Sequence, residues 1–192
     1  MITRKINFWL FIFFLLLQNS AVAADNTLWS ALKSGGYVVL IRHAITDPGI
    51  GDPPGFTIGD CGTQRNLSAQ GRIDARQIGE AFRSRNIPIS EVLSSRWCRC
   101  LETARLAFGK ATPWAMLDSL FNAPSRATEE KTHEVLAVAS RRPASGNLIL
   151  VTHNQNIHAL TGVSAASGEM VIVAPEGSGK IKVVGRLPVS RI

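Results

Sequence analysis

Two histidines in the chain each follow directly on a run of apolar residues. Residues 38–41 lead into Arg42 and His43, and residues 148–151 are followed after one threonine by His153. In an open parallel sheet, ligands bind beyond the carboxyl ends of the strands. Strands over these two runs would therefore bring both imidazoles to the same edge of the sheet. The spacing predicts a single site at that edge.

An anion is the ligand that these residue types favour. A third polar segment, residues 94–99, follows another apolar run and adds arginines to the predicted edge. Guanidinium groups match phosphate oxygens, and an imidazole adds a further donor. The charge of Arg42 also favours the neutral form of His43, which is the form that can attack phosphorus. Composition and periodicity alone thus predict an anion-binding α/β domain, either an enzyme or a binding module.

The elements that must position these side chains alternate along the chain. Apolar, β-branched runs predict strands over residues 37–41, 89–93 and 148–151. Amphipathic stretches predict helices over residues 26–33, from an N-cap at Ser68 to about residue 86, and over 98–108 and 128–141. A hairpin is predicted from residues 170–174 and 181–184. Strands that alternate with helices predict a three-layer α/β/α sandwich around a mainly parallel sheet.

Glycines and apolar residues mark the ends and the buried faces of these helices. Gly35 and Gly36 supply a left-handed cap for the first helix, and Gly109 ends the helix over residues 98–108. The predicted apolar stripe of the second helix consists of Ile73, Ile78, Ala81 and Phe82. Residues 45–66, rich in Gly, Pro and Asp, form a loop whose length in a compact domain indicates function or disorder.

The first residues have the order of a secretory signal peptide. Arg4 and Lys5 precede an apolar run over residues 8–17, and small residues follow at 21–24. The apolar run is shorter than the roughly 20 residues that span a bilayer. We therefore expect a signal peptide over residues 1–24, an exported, periplasmic domain over residues 25–192, and no membrane span in the mature chain.

The three cysteines allow one disulfide in an oxidising compartment. Cys98 and Cys100 lie two positions apart on a predicted helix and so face apart. The bridge therefore joins Cys61 to Cys98 or to Cys100, and Cys98 is the favoured partner. No histidine lies at ligand spacing from these cysteines, so we predict no metal site.

Four segments resemble motifs of the histidine phosphatase superfamily, the phosphoglycerate mutase-like fold, and they occur in the same order. Residues 39–44 resemble its Arg-His-Gly or Arg-His-Ala motif, and residues 66–72 resemble its Leu-Ser/Thr-x-x-Gly helix start. Residues 94–104 resemble its Ser-x-x-x-Arg-x-x-Gln/Glu-Thr-Ala segment, and residues 151–154 resemble its second-histidine motif. The resemblance extends over about residues 37–165.

The resemblance implies a metal-independent phosphoric monoester hydrolase without a cofactor. His43 would be the nucleophile that forms a phosphohistidine, and the phosphoryl group would be held by Arg42, Arg99, His153 and Asn154. Arg99, rather than Arg96, takes the arginine position of the motif, because it lies four residues after Ser95 and four before Thr103. Arg96 would then be a surface charge.

The general acid that protonates the leaving group is not identified by any motif. In one branch of the superfamily this acid is a glutamate in the segment after the second arginine. Phosphoglycerate mutase-type members also have an asparagine a few residues after the first histidine; this chain has Thr46, Asp47 and Pro48 there, so the phosphate contact of that asparagine is not carried over. The phytase branch has an aspartate after the second histidine, where this chain has Asn154, so that branch is disfavoured. The candidate acids are Asp118, Glu129 and Glu130, with Asp47 and Asp60 from the long loop.

Export, small size and the Arg-His-Ala variant resemble the periplasmic branch that includes lipopolysaccharide core heptose phosphate phosphatases. The expected partner is a small phosphorylated substrate, such as a phosphorylated sugar or a lipopolysaccharide core. The formal net charge of +7 suits an anionic substrate. The alternative is a catalytically impaired periplasmic protein that binds phosphate or polyanions. Nucleic acid is not an expected partner, because no basic helix face or aromatic platform is present.

Overall fold

The computed structural model describes residues 24–192. The predicted signal peptide, residues 1–24, therefore lies outside the described residues except for its last position. The first described element is α1, a helix over residues 24–34. Within residues 24–192, no helix combines the length and the apolar character needed to cross a membrane.

A single six-stranded sheet organises the described part of the chain. Its strands are β1 Val38–Arg42, β2 Ile89–Ser94, β3 Thr112–Pro113, β4 Asn147–Thr152, β5 Met170–Gly177 and β6 Lys180–Leu187. The spatial order is β3-β2-β4-β1-β5-β6. The pairs β1–β4, β4–β2 and β2–β3 are parallel, whereas β5 is antiparallel to both β1 and β6. The sheet is thus mainly parallel, as predicted, with the hairpin at one edge.

Helices cover both faces of the sheet. After α1 they are α2 Ala69–Ser84, α3 Cys98–Phe108, α4 Ser125–Ala139 and α5 Asn154–Thr161. Short 3₁₀ helices lie at Cys61–Thr63, Ala115–Leu117 and Val189–Arg191. The central strand β1 shows why the fold has three layers, because its side chains alternate between two cores. Val39 and Ile41 pack in the core that contains α2 and α3, and Leu40 packs in the core that contains α4 and α5.

Most of the predicted elements are confirmed, with three differences. Helix α5 and the two-residue strand β3 are additional to the prediction, because residues 154–161 are polar and β3 is too short to show a pattern. Ile73 is 43% exposed and does not belong to the buried stripe. The buried face of α2 passes through Ala75, Ile78 and Phe82, and position 73 lies on the far side of a helix with 3.6 residues per turn.

The start of α2 packs against the chain that follows His43. Ser68 caps the helix by accepting a hydrogen bond from the N–H of Gly71 at 3.1 Å. A Cβ atom at position 71 would lie 1.9 Å from the carbonyl oxygen of Ile45, so only glycine fits there. This close approach fixes the beginning of the long loop against α2.

Candidate active site

His43 lies just beyond the carboxyl end of β1, where two contacts fix its backbone and its ring. Its backbone N–H donates to the carbonyl oxygen of Thr152 at 3.0 Å, which joins it to the end of β4. Its ring nitrogen Nδ1 lies 2.9 Å from the carbonyl oxygen of Ala44. A carbonyl oxygen can only accept, so Nδ1 carries the proton and donates it. The lone pair of the neutral ring is therefore on Nε2.

His153 immediately precedes α5 and faces His43. The two ring centroids are 5.4 Å apart, with an angle of 68° between the ring planes. On its other side, Nε2 of His153 lies 2.9 Å from Oγ of Ser95 and 3.5 Å from Sγ of the buried Cys100. The segment after β2 therefore orients the histidine that follows β4.

Both imidazoles are buried beside positive charge. Burial lowers the pKa of His43 to about 3; the hydrogen bond to Ala44 opposes this, and the charges of Arg99 and Arg42 lower it further. Burial also lowers the pKa of His153 well below its usual value, with contributions from His43 and Arg99. Both rings are neutral near pH 7, so His43 keeps the lone pair that a nucleophile needs.

Two arginines approach the histidines from different elements. The guanidinium of Arg42 donates through Nη1 to the carbonyl oxygen of Ala165 at 2.8 Å. Arg99 lies in the first turn of α3, and its side chain is 4% exposed. The Nε atoms of both arginines are buried and have no hydrogen-bond partner in the described part of the chain. Each guanidinium thus retains unused donor capacity.

A threonine hydroxyl connects α3 to the residue after His43. Oγ1 of Thr103 donates to the carbonyl oxygen of Arg99 at 2.7 Å and accepts from the N–H of Ala44 at 3.1 Å. Thr103 is fully buried. The position of Arg99 relative to His43 is therefore set through one short chain of hydrogen bonds. We call Arg42, His43, Arg99 and His153 the strand-end cluster.

The long loop supplies the opposite side of the site. Arg65 holds this loop together, since its Nε donates to the carbonyl oxygen of Gly51 at 2.8 Å and its Nη1 donates to the hydroxyl of Thr46. Burial lowers the pKa of Arg65, and the charge of Arg99 adds to the effect. We call the loop residues on this side the loop wall: Gly49, Ile50, Gly51, Asp52, Phe56 and Arg65.

Asp52 of the loop wall accepts hydrogen bonds from several directions. Arg99 donates to it through both Nη atoms, at 2.6 Å to Oδ1 and 3.2 Å to Oδ2. The backbone N–H of Arg65 and Nε1 of Trp97 donate to it at 3.0 Å and 2.9 Å. Burial alone raises the pKa of Asp52, but these hydrogen bonds outweigh burial and hold it below its usual value. Asp52 is ionised and occupies the guanidinium of Arg99.

A disulfide joins the loop to the start of α3. Cys61 and Cys98 are bonded, with their Cα atoms 5.6 Å apart, which confirms the favoured pairing. Beside the bond, the amide oxygen of Gln64 accepts from the N–H of Cys98 at 2.9 Å. The other end of that amide donates to the carbonyl oxygens of Thr57 and Ile58. The loop is thus fixed next to Arg99.

The strand-end cluster and the loop wall enclose a cavity of about 670 Å³. Besides these two groups, the cavity is lined by Trp97, Ser119, Phe121, Asn122, Asn154 and Gln155. Positive charge and aromatic rings therefore line the same cavity. Among the described residues, no group of three or more His, Cys, Asp or Glu could hold a metal ion.

Comparison with known proteins supports one family. The sequence profile of the histidine phosphatase superfamily (branch 1) matches residues 38–123. This range includes Arg42, His43 and Arg99, which the structure brings together with His153. This match supports assignment of the chain to the histidine phosphatase superfamily. No curated protein matches the chain.

Solved structures share the fold of this chain. An Escherichia coli protein provisionally assigned as an alpha-ribazole-5'-P phosphatase is 15% identical, with a TM-score of 0.62, over 80% of this chain and 97% of that chain. The protein histidine phosphatase SixA, complexed with tungstate, is 13% identical, with a TM-score of 0.59, over 80% and 97%. Phosphoserine phosphatase from Entamoeba histolytica, complexed with 3-phosphoglyceric acid, is 12% identical, with a TM-score of 0.58, over 79% and 96%. At these identities the likeness shows the phosphoglycerate mutase-like fold.

The histidine phosphatase motifs predict the side of the cavity that the strand-end cluster forms. The predicted residues that line it are Arg42, His43, Arg99, His153 and Asn154. The side-chain amide oxygen of Asn154 is already used, because it accepts from the N–H of Ala165 at 2.7 Å. The predicted periplasmic branch of the superfamily is not tested by these comparisons and stays a prediction.

The candidate general acids do not line this cavity. Asp47, Glu129 and Glu130 are exposed, and Asp60 caps the 3₁₀ helix at Cys61–Thr63. Asp118 is buried and paired with Arg96, whose Nη2 lies 2.5 Å from Oδ2. Arg96 is therefore more than the free surface charge that we expected, because it holds a buried carboxylate.

Sequence reasoning missed the loop wall and Trp97. The signal for the loop wall was the length of the loop after His43, which indicated function or disorder without indicating which residues carry a function. Asp52, Phe56 and Arg65 lie outside any apolar period. Their positions depend on hydrogen bonds to α3 and on the disulfide.

Proposed function

We propose that the protein is a phosphomonoesterase that hydrolyses phosphate monoesters through a phosphohistidine on His43. The observation that carries the proposal is the hydrogen bond from Nδ1 of His43 to the carbonyl oxygen of Ala44. It holds the ring as the neutral tautomer with its lone pair on Nε2, beside two buried guanidinium groups. The match to the histidine phosphatase superfamily supports the same activity.

In the first step, Nε2 of His43 attacks phosphorus in line with the leaving oxygen. The N–P bond forms as the P–O bond to the leaving group breaks. Arg42, Arg99 and His153 bind the equatorial oxygens and offset the charge that they carry in the transition state. In the second step, water attacks phosphorus, the P–N bond breaks, and His43 returns to its neutral form as phosphate leaves. The two guanidinium groups supply the positive charge that the reaction needs, and the neutral His153 adds hydrogen bonding, so the proposal requires no metal.

We propose further that the enzyme is exported to the periplasm and acts on a phosphorylated sugar, such as one in a lipopolysaccharide core. The N-terminal sequence supports export. The rings of Trp97 and Phe56, whose centroids are 5.8 Å apart, give the cavity an apolar face against which a sugar ring can pack. The arginines beside them suit the phosphate.

A labelling experiment tests the phosphohistidine directly. The purified protein is mixed with ³²P-labelled substrates from a panel of aryl phosphates, sugar phosphates and lipopolysaccharide fragments, and is quenched in alkali, where phosphohistidine survives. We expect label on wild type and none on His43→Asn, together with loss of turnover. His133→Asn is the matched control, because that side chain is 80% exposed on α4, and it should behave as wild type.

The same experiment separates the enzyme from a binding protein. If wild type neither becomes labelled nor releases phosphate from any ester, the proposal is wrong. Binding of inorganic phosphate or tungstate by that inactive protein, measured by calorimetry, would then support the alternative of a polyanion-binding member of the superfamily.

A further inference from the structure

One carboxylate lines the cavity that contains His43. Among the lining residues in the described part of the chain, Asp52 alone is acidic. Its side chain is 6% exposed and lies on the loop wall, between Arg99 and Trp97. No motif of the superfamily quoted above contains it. Asp52 therefore has a position that the other candidate acids lack.

The proposed reaction needs a proton at this position. An alkoxide is a poor leaving group, and protonating its oxygen as the P–O bond breaks makes departure easier. The proton donor must be within hydrogen-bond reach of that oxygen. Asp118, Glu129, Glu130 and Asp47 do not line the cavity, so none of them has this access without rearrangement.

Asp52 is ionised, and the contacts that keep it ionised suggest how it becomes protonated. Three groups donate to it, and the strongest contact is the two-pronged one from Arg99. Arg99 is also a group proposed to bind the phosphoryl oxygens. When a phosphate dianion takes the N–H groups of Arg99, Asp52 loses that contact and gains a negative neighbour. Both changes raise the pKa of a carboxyl group.

We propose that Asp52 is the general acid and base of this site: when phosphate binds, Asp52 releases Arg99, takes a proton from solvent and faces the leaving oxygen. The inference rests on the proposed function. In the first step the carboxyl proton of Asp52 passes to the leaving oxygen, which departs as an alcohol while the N–P bond forms. In the second step the Asp52 carboxylate takes a proton from the attacking water, the P–N bond breaks, and the resting protonation state of the loaded site is restored.

The competing role for Asp52 is to position Arg99 without touching the substrate. The two roles predict different dependences of the reaction rate on the leaving group. A positioning role affects all esters alike. Acid catalysis matters most for an alkyl phosphate and least for 4-nitrophenyl phosphate, whose leaving group departs without a proton. The experiment is therefore to compare Asp52→Asn with wild type on both classes of ester.

We expect Asp52→Asn to lower the single-turnover rate of phosphohistidine formation from an alkyl phosphate by about 10²-fold or more, and from 4-nitrophenyl phosphate by less than about 5-fold. It should still form phosphohistidine from 4-nitrophenyl phosphate. The matched control is Asp60→Asn, since Asp60 is an exposed aspartate of the same loop and asparagine also caps helices. This control should change neither rate.

Asp52→Glu separates a folding defect from lost chemistry, because it keeps the carboxyl group. We expect it to restore part of the activity on the alkyl phosphate, with thermal unfolding close to that of Asp52→Asn. Equal losses of Asp52→Asn on both esters would overturn the acid role and leave the proposed function standing. Absence of wild-type turnover and labelling would overturn the proposed function, and the role of Asp52 with it.

Discussion

The two sides of the cavity are built in different ways. The strand-end cluster is placed by the sheet, because the register that pairs Arg42 with Thr152 brings His43 and His153 together. The loop wall is placed by side-chain hydrogen bonds from Arg65 and Trp97 and by a disulfide. Backbone pairing in a buried sheet tolerates little displacement, whereas a loop held by side chains can change partners. We infer that the first side holds the nucleophile and the phosphoryl group, whereas the second side adapts to the substrate and its leaving group.

The largest effect is expected from replacing an arginine in the strand-end cluster. Arg42→Met removes a guanidinium beside the nucleophile, and we expect kcat/KM on 4-nitrophenyl phosphate to fall by about 10²- to 10³-fold. Arg126→Met is the matched control, because Arg126 is an exposed arginine of α4, and it should keep full activity. A loss below about 3-fold in Arg42→Met would mean that the strand-end cluster does not hold the phosphoryl group through Arg42.

Removal of the disulfide tests the loop wall as a whole. The Cys61–Cys98 bond closes a loop of 37 residues, and the double variant Cys61→Ser/Cys98→Ser should be about 4 kcal/mol less stable in urea unfolding. Because the strand-end cluster does not depend on this bond, the folded variant should show a raised KM on 4-nitrophenyl phosphate, whose leaving group needs no proton from Asp52, and a single-turnover rate of phosphohistidine formation close to that of wild type. A formation rate that falls while KM is unchanged would contradict this division.

The pH dependence of stability sharpens the comparison, since the two sides titrate in different ranges. The pKa of His43 is about 3 in the folded state and 6.5 as its ordinary value. Between these values the unfolded chain binds a proton that the folded chain does not, so stability falls as pH falls. The slope is about 1.4 kcal/mol per pH unit for each such histidine. The pKa of Asp52 is lowered from 3.8, so its contribution is lost only below about pH 3.8.

Urea unfolding between pH 4 and pH 6.5 measures this slope. We expect His43→Asn to reduce the slope by about 1.4 kcal/mol per pH unit relative to wild type. His133→Asn should leave it unchanged, because that ring is exposed. A slope in His43→Asn equal to that of wild type would mean that His43 is charged in the folded protein.

The smallest expected effect concerns one hydrogen bond of the loop wall. Trp97→Phe keeps an aromatic ring beside Phe56 and His153 but removes the Nε1 donor to Asp52. One such bond contributes about 0.5–1.5 kcal/mol, so we expect kcat/KM to change by roughly 2- to 10-fold. Steady-state kinetics on alkyl and aryl phosphates measure the change. A loss as large as that of Arg42→Met would mean that Trp97 is as important to the reaction as the strand-end cluster.

The strand-end cluster could be predicted from the sequence better than the loop wall, for a physical reason. Buried strands have a visible apolar pattern, and the residue that follows each one must lie at the sheet edge. Arg42, His43 and His153 were therefore predictable. Helix α3 was predicted with the bounds that the structure shows, because Gly109 adopts the left-handed conformation that ends it.

The general acid could not be predicted in the same way. Carboxylates occur in several polar segments, and nothing in the spacing of Asp118 or Glu129 shows whether it reaches the cavity. Asp52 reaches it only because Arg65 and the disulfide fold the loop back over α3. Such contacts join residues far apart in the chain, and no hydrophobic periodicity in the sequence indicates them.

The burial of Cys100 beside His153 affects the stability of the disulfide against thiol exchange. Cys100 lies two residues from Cys98 and is the one cysteine in residues 24–192 outside the bond. Burial raises the pKa of its thiol to about 12. Thiol–disulfide exchange requires a thiolate, so the raised pKa suppresses attack by Cys100 on the neighbouring bond at neutral pH. The folded protein therefore carries a spare thiol with little risk that its cysteines shuffle.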